Sequence, residues 1–145
     1  MVVYTLVRER PVAAWRMLTR MTKTTQALVA VVDDDESVRE SLPDLLRELG
    51  FPARAFASAD EFLTSDALAV TRCLILDIAM PGMSGPELQD ELRRRQHHVA
   101  IIFITARADE TLCRQLLARG AAGCMLKPFS EQELRAGLDA ALPGI

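Results

Sequence analysis

Five polar residues each stand at the end of an apolar run, and their spacing makes them candidates for one chemical site. They are Asp33, Asp34, Asp77, Thr105 and Lys127. In a parallel sheet covered by helices, side chains that follow the strands meet beyond the carboxyl ends of those strands. The pattern therefore predicts that these residues converge at one rim of a sheet.

The chemistry that suits this set is phosphoryl transfer. Three converging carboxylates repel one another by kcal/mol amounts and require cations. Mg²⁺ or Mn²⁺ suits them, because such ions take one or two carboxylates together with phosphate oxygens. An aspartate is a competent nucleophile toward phosphorus, and the charge of the transition state spreads over three oxygens. The metal, Lys127 and the Thr105 hydroxyl could each contact one of them, with Asp77 as the acceptor.

Simpler interpretations exist for each residue alone. An aspartate after a strand is often a helix N-cap, and this interpretation is favoured for Asp35, which lies nearest a helix start. For Asp77 it is weak, because the next helix begins only after Ser84 or Gly85. Lys127 alone would be an ordinary solvated charge. The combination of residues at successive strand ends is what favours a site.

Alternating strand and helix patterns position these residues. Apolar runs predict five strands, and 3.6-residue apolar spacing predicts five intervening helices, so the fold class is α/β with a parallel sheet. Pro43 lies inside the first helix, where we expect a kink rather than a break because the apolar spacing continues to Leu49. The predicted strands are Ala27–Val32, Phe51–Phe56, Cys73–Leu76, Ala100–Ile104 and Gly123–Leu126, and the predicted helices are Val38–Leu49, Ser58–Ser65, Pro86–Arg95, Glu110–Ala118 and Glu131–Ala141.

Residues 1–26 do not share this alternation. They carry a net charge of +4, which leaves −7 on the remainder of a chain whose formal charge is −3. Three interpretations remain open: an amphipathic helix that binds a partner or membrane surface, a disordered basic arm, or upstream sequence preceding a true start at Met21. The acidic main body argues against direct nucleic-acid binding. No apolar run approaches the ~20 residues that span a bilayer.

The cysteines Cys73, Cys113 and Cys124 show no metal-ligand spacing. They are far apart in sequence, odd in number and set among apolar residues. We therefore predict that all three are reduced thiols of a cytoplasmic protein.

The motifs around the candidate site resemble those of the receiver domains of two-component response regulators. The match covers about residues 27–142, and the residues around Asp33 and Asp77 are most similar to those of the FixJ-like subgroup. The resemblance implies a flavodoxin-like, doubly wound, five-stranded parallel sheet with strand order 2-1-3-4-5. The segments that carry it are Val31-Val32-Asp33-Asp34, Asp77-Ile78-Ala79-Met80-Pro81-Gly82-Met83-Ser84-Gly85, Ile104-Thr105-Ala106 and Lys127-Pro128-Phe129.

This resemblance implies a role for each position. Asp77 would accept a phosphoryl group from a phosphohistidine on a sensor histidine kinase or phosphotransfer protein. Asp34, Asp77 and the Ala79 carbonyl would ligate Mg²⁺, with Asp33 acting through water. Thr105 and Lys127 would contact the phosphoryl group, and the peptide bond between Lys127 and Pro128 would be cis. The chain would then be a cytoplasmic switch that acts on an unnamed downstream protein, as a monomer or a phosphorylation-dependent dimer, and not a turnover enzyme.

The sequence also departs from the family pattern. Cys124 stands where the family commonly has an aromatic residue, and Ala79 offers no side chain to position an attacking water. An aspartate-nucleophile phosphatase would usually carry an acid at the Ala79 position, which argues against that alternative. A third hypothesis is a protein-interaction scaffold that is not phosphorylated. The sequence ends at Ile145 without an output domain, so we expect either a single-domain regulator or a truncated relative of a longer one.

Overall fold

The structure, a computed structural model, describes residues 3–4 and 27–143. The interpretations of the N-terminal extension concern residues 1–26, nearly all of which lie outside the described residues. The strands are β1 (Val3–Tyr4), β2 (Leu28–Val32), β3 (Ala53–Phe56), β4 (Thr71–Asp77), β5 (Ala100–Thr105) and β6 (Gly123–Leu126). The helices are α1 (Glu36–Glu48), α2 (Ala59–Leu63), α3 (Gly85–Arg94), α4 (Glu110–Ala118) and α5 (Glu131–Ala141), with a 3₁₀ turn at Asp66–Ala69.

The sheet has the order β1-β6-β5-β4-β2-β3. The strands from β2 to β6 are parallel and reproduce the predicted order 2-1-3-4-5, which confirms the doubly wound architecture. Beyond the prediction, β1 adds antiparallel to the outer edge of β6, where Val3 pairs with Cys124 and Tyr4 with Gly123. A pairing of two residues leaves no hydrophobic period in the sequence, so the sequence pattern does not predict it.

Hydrophobic side chains fill both faces of the sheet. The central strands are buried along their length, as expected when helices cover both faces. One core layer lies under α1 and α5 and includes Leu46 and Leu138. The opposite layer lies under α2, α3 and α4 and includes Phe62, Leu88 and Leu116. This two-sided packing fixes the strand ends on which the candidate site depends.

The helix starts agree with the capping residues in the sequence. Asp35 is the N-cap of α1, as predicted, and its carboxylate accepts a hydrogen bond from Ser37 N. Ser84 begins α3 with a capping box in which Glu87 bonds back to the Ser84 N–H. Helix α1 starts two residues before its predicted boundary and continues through Pro43 without restarting. The expected kink at Pro43 remains a prediction.

The prediction of three reduced cysteines was wrong. Cys113 of α4 and Cys124 of β6 form a disulfide, and only Cys73 is a free thiol. Packing of α4 against β6 brings the two Cα atoms to 5.8 Å, within the range that a disulfide can bridge. The eleven-residue spacing carries no such signal in the sequence. Within the described ranges, no helix has the length and apolarity needed to cross a bilayer.

Candidate functional site

The three candidate aspartates meet at the carboxyl rim of the sheet. Asp33 directly follows β2, and Asp77 is the last residue of β4. These strands are neighbours, and the pairing of Val32 with Leu76 places their ends level with each other. One oxygen each from Asp33, Asp34 and Asp77 lies within 4.8 Å of the others. The convergence expected from the sequence is therefore present.

Lys127 reaches the same cluster from β6. Its Nζ lies 2.8 Å from Asp33 Oδ2 and 3.7 Å from Asp77 Oδ1. Asp33 is fully buried and Asp77 is 6% exposed, whereas Asp34 is exposed to solvent. Because a buried carboxylate needs a partner, the ammonium stabilises both buried members of the cluster. Its closer contact is with Asp33, not with the expected phosphoacceptor.

Backbone contacts hold these side chains in place. Asp33 Oδ1 accepts a hydrogen bond from Asp35 N at 2.9 Å, and the Asp33 carbonyl accepts one from Arg39 at 3.0 Å. Lys127 N donates to Thr105 O at 2.7 Å, which joins the ends of β6 and β5. The bond between Lys127 and Pro128 is cis, as the resemblance implied.

Burial and charge change the acidity of the site. Burial and the neighbouring Asp33 raise the pKa of Asp77 to about 7, although Lys127 acts in the opposite direction. Burial alone would lower the pKa of Lys127. Its hydrogen bond to Asp33 and the surrounding carboxylates outweigh that effect and raise the pKa of Lys127 above its ordinary value. The cluster thus retains its ammonium but holds more negative charge than it can easily accommodate, which favours binding of a further cation.

Thr105 ends β5 beside this cluster, with its hydroxyl directed to its own loop. Thr105 Oγ1 accepts a hydrogen bond from Arg107 N at 3.1 Å and donates to Arg107 O at 3.2 Å. Its neighbour Ile104 pairs with Asp77, so the threonine lies one residue beyond Asp77 along the rim. The structure therefore brings together the aspartates and Lys127, and it holds Thr105 at the rim through contacts within the 105–107 loop.

The donor set fits Mg²⁺. Three carboxylate oxygens within 4.8 Å of one another offer hard oxygen ligands to one ion. Asp34 is exposed, so water molecules can complete an octahedral shell on that side. Ala79 is also exposed, in the loop that follows Asp77. Its carbonyl remains a proposed ligand.

Gly85 meets a steric requirement that the sequence pattern does not reveal. A Cβ built at this position would lie 2.4 Å from Asp77 O and 3.1 Å from a ring carbon of Phe103. The Gly85 N–H also donates to Ile78 O at 2.9 Å. Helix α3 therefore begins directly against the backbone of the candidate phosphoacceptor. Ser84 and Gly85 are part of the family motif in the sequence, but the contact of Gly85 with the Asp77 backbone is visible only in the folded structure.

The sequence profile of the response regulator receiver domain family matches residues 29–139. Nodulation protein W of Bradyrhizobium diazoefficiens is 45% identical over 111 residues, which cover 77% of this chain and 49% of that protein. The transcriptional regulatory protein FixJ of Azorhizobium caulinodans is 39% identical over 114 residues, covering 79% of this chain and 54% of that protein. The chain thus spans about half the length of these curated relatives.

Solved structures agree with the same assignment. The response regulator StyR superposes with a TM-score of 0.74 at 42% identity, covering 81% of this chain and 59% of that one. The Vibrio cholerae chemotaxis protein CheY4 gives a TM-score of 0.73 at 28% identity, covering 81% of this chain and 99% of that one. Fold and site together define a signalling module with an acidic rim. This chain belongs to the response regulator receiver domain family of two-component systems.

Proposed function

We propose that Asp77 is the phosphoacceptor of this receiver domain and takes its phosphoryl group from a phosphohistidine of a sensor histidine kinase or phosphotransfer protein. One observation carries the proposal. One oxygen of the Asp77 carboxylate lies within 4.8 Å of oxygens of two other carboxylates, and the Lys127 ammonium lies 3.7 Å from Asp77 Oδ1. An acceptor set among hard oxygen ligands and a fixed cation suits an incoming dianionic group.

Each residue of the site would have its own role in phosphoryl transfer. An oxygen of Asp77 attacks phosphorus, and the bond from phosphorus to the histidine nitrogen breaks. Mg²⁺, held by Asp34, Asp77 and the Ala79 carbonyl with Asp33 acting through water, would supply charge neutralisation. Lys127 and the Thr105 hydroxyl would contact phosphoryl oxygens, which stabilises the charge that spreads over them.

A cavity beside the site suits the docking of the phosphodonor. Its volume is about 490 Å³, and it opens next to Lys127 between α1 and the segment that follows β6. Most of its lining is apolar, which favours the side of an amphipathic helix over a small charged molecule. The lining includes Val38, Leu42, Leu45, Pro128 and Phe129.

We infer that the output is a change in partner binding. Phosphorylation adds charge at Asp77, and a contact with the Thr105 hydroxyl would break the hydrogen bonds between Thr105 and Arg107. The segment 105–109 leads directly into α4, so that helix would respond. The downstream partner would be a protein, since the −7 charge of residues 27–145 disfavours nucleic acid. We place this domain at residues 27–142, preceded by an extension, in a cytoplasmic protein.

Labelling of single-residue variants tests the proposal. We expect Asp77→Asn to abolish labelling by acetyl phosphate or a cognate kinase in Mg²⁺, because an amide is not a competent nucleophile. Asp35→Asn is the matched control: it removes a nearby acid but keeps an N-cap residue, and it should be labelled normally. Labelling that survives Asp77→Asn, or that requires Asp35, would refute the assignment.

Removal of the metal tests the other half of the proposal. EDTA should abolish labelling of the wild-type protein, and added Mg²⁺ or Mn²⁺ should restore it. Asp34→Asn should raise the metal concentration required, because it removes an exposed ligand without unpairing Lys127. No sustained turnover of an added phosphomonoester is expected. Continuous hydrolysis would favour the phosphatase alternative instead.

A further inference from the structure

The disulfide between Cys113 and Cys124 connects two elements that the fold already holds together. A short turn over residues 119–122 links α4 to β6, and Ala121 N donates to Leu116 O at 3.0 Å within it. The two cysteines are eleven residues apart. A disulfide that closes a loop of this length constrains the unfolded chain less than one that closes a longer loop. In the folded protein it also restricts how α4 can move relative to β6.

The position of the disulfide relative to the phosphoacceptor suggests a role for the bond. Cys124 pairs across the sheet with Phe103, which in turn pairs with Leu76, the residue before Asp77. Cys113 is the fourth residue of α4, the helix that follows the Thr105 loop. The bond therefore fixes the first turn of α4 to the sheet at the place where movement of Thr105 would reach the helix.

We propose that Cys113 and Cys124 form a thiol–disulfide modification site that controls how far α4 responds to phosphorylation. The inference rests on Asp77 being the phosphoacceptor. In the disulfide form, α4 is tied to β6 and the phosphoryl signal stops at the 105–109 loop. In the dithiol form, no covalent bond ties the first turn of the helix to β6, and the helix follows Thr105. Disulfides that occur in reducing compartments are commonly transient or redox-sensing, which fits this role.

The exchange needs a dithiol reductant of the kind that reduces protein disulfides. Its thiolate attacks Cys113 Sγ, which belongs to the more exposed residue, at 7% against 1% for Cys124. The sulfur–sulfur bond breaks, and Cys124 leaves as a thiolate that takes up a proton. The second thiol of the reductant then resolves the mixed disulfide and releases the Cys113 thiol. Two electrons and two protons reach the protein, the reductant becomes a disulfide, and the reverse exchange restores the bond.

Cys73 provides an internal control. It is fully buried in the core layer on the opposite face of the sheet, away from α4. Burial raises the pKa of the Cys73 thiol to about 12, so it holds almost no thiolate at neutral pH. A redox response that comes from Cys113 and Cys124 should therefore be unchanged in Cys73→Ala.

The test compares the whole chain in its two redox forms. Protein is prepared oxidised, or reduced with dithiothreitol, and peptide mapping without reductant checks the bond between Cys113 and Cys124. Hydrogen exchange of α4 amides is then measured before and after phosphorylation by acetyl phosphate in Mg²⁺. We expect phosphorylation to change α4 exchange about fivefold or more in the reduced form and less than about twofold in the oxidised form.

Variants complete the design. The double variant Cys113→Ala/Cys124→Ala should behave as the reduced protein under both conditions, and Cys73→Ala should keep the difference between them. Equal α4 responses in the two forms, or failure of the bond to form and reverse with a dithiol couple, would overturn the inference. Incorporation of phosphate at Asp77 is measured in the same samples. Its absence from both forms would refute the proposed function instead, so the two failures are distinguishable.

Discussion

The carboxyl rim of the sheet and the α4–β6 region lie next to each other but are built differently. At the rim, charged groups are buried in contact: Asp33 is fully buried and bonded to Lys127. In the α4–β6 region the buried side chains are apolar, and one covalent bond joins Cys113 to Cys124. The rim is thus arranged for chemistry at the expense of stability, and the neighbouring region is arranged for packing. In the proposed switch, the phosphorylation signal passes from the rim to α4 through the Thr105 loop.

We expect the largest effect from a substitution at Gly85, where the start of helix α3 lies against the backbone of Asp77. Gly85→Ala would place a methyl group against Asp77 O, and the clash involves backbone that cannot move without shifting Asp77. We expect a loss of about 3 kcal/mol or more in unfolding free energy, with weak or no labelling. Urea denaturation and phosphate incorporation would measure both.

Gly137→Ala is the control for that substitution. A Cβ at Gly137 would meet Ile102 and Met125 at 3.5 Å, which is ordinary contact. Within helix α5 alanine is favoured over glycine by roughly 0.5–1 kcal/mol. This variant should therefore be as stable as the wild type and be labelled normally. A comparable loss in both variants would mean that Gly85 is not special.

A second prediction separates packing from chemistry. Leu116 is 1% exposed on α4 in the same apolar layer as Cys113 and Cys124. Leu116→Ala should lower the unfolding free energy by about 2–4 kcal/mol through the cavity it leaves. Labelling of the folded protein at Asp77 should nevertheless continue at close to the wild-type rate. Loss of labelling in protein that remains folded by circular dichroism would show that the two regions are not separable.

A third prediction concerns how the ionisation of Asp77 at the rim lowers the stability of the folded protein. The pKa of Asp77 is raised to about 7 from 3.8, so the folded state holds a proton that the unfolded state has lost. The stability linked to Asp77 is complete below about pH 4 and is lost as the pH rises to 7. The full shift corresponds to about 3 kcal/mol between pH 4.5 and pH 8, and water at the rim screens part of it. Without metal, Asp77→Asn should therefore gain about 2 kcal/mol over the wild type in this range.

Denaturation at the two pH values would check this prediction. Asp139→Asn, which changes an exposed aspartate of α5, should show no such gain. A pH-independent difference between Asp77→Asn and the wild type would contradict the raised pKa of Asp77.

The smallest effect on stability is expected at the connection between the two regions. Thr105→Ala removes two hydrogen bonds to the exposed Arg107 backbone, so the unfolding free energy should fall by less than about 1 kcal/mol. Labelling should persist, while the phosphorylation-dependent change in α4 hydrogen exchange should be strongly reduced. Thr105→Ser keeps the hydroxyl and should restore that change. A normal α4 response in Thr105→Ala would show that Thr105 does not couple phosphorylation at Asp77 to α4.

The sequence predicted the rim well because its pattern is local. Each strand is a short apolar run, and the parallel arrangement then dictates that Asp33 and Asp77 meet. It did not predict that Lys127 would lie closer to Asp33 than to Asp77, because that choice depends on how both side chains pack. The cysteine bond and the contact at Gly85 were also missed. Each depends on a distance between elements that no periodicity encodes.

The short strand β1 has a consequence for how copies of the protein can associate. An outermost strand normally offers free amide and carbonyl groups, onto which a second molecule can add a strand. Val3 and Tyr4 of β1 pair with Cys124 and Gly123, so two of the four residues of β6 already have a strand partner on that edge. At the far side of the sheet, the exposed Arg54 of β3 places a charge on the other border. Among the described residues, each border of the sheet thus carries a feature that disfavours strand addition by a second copy.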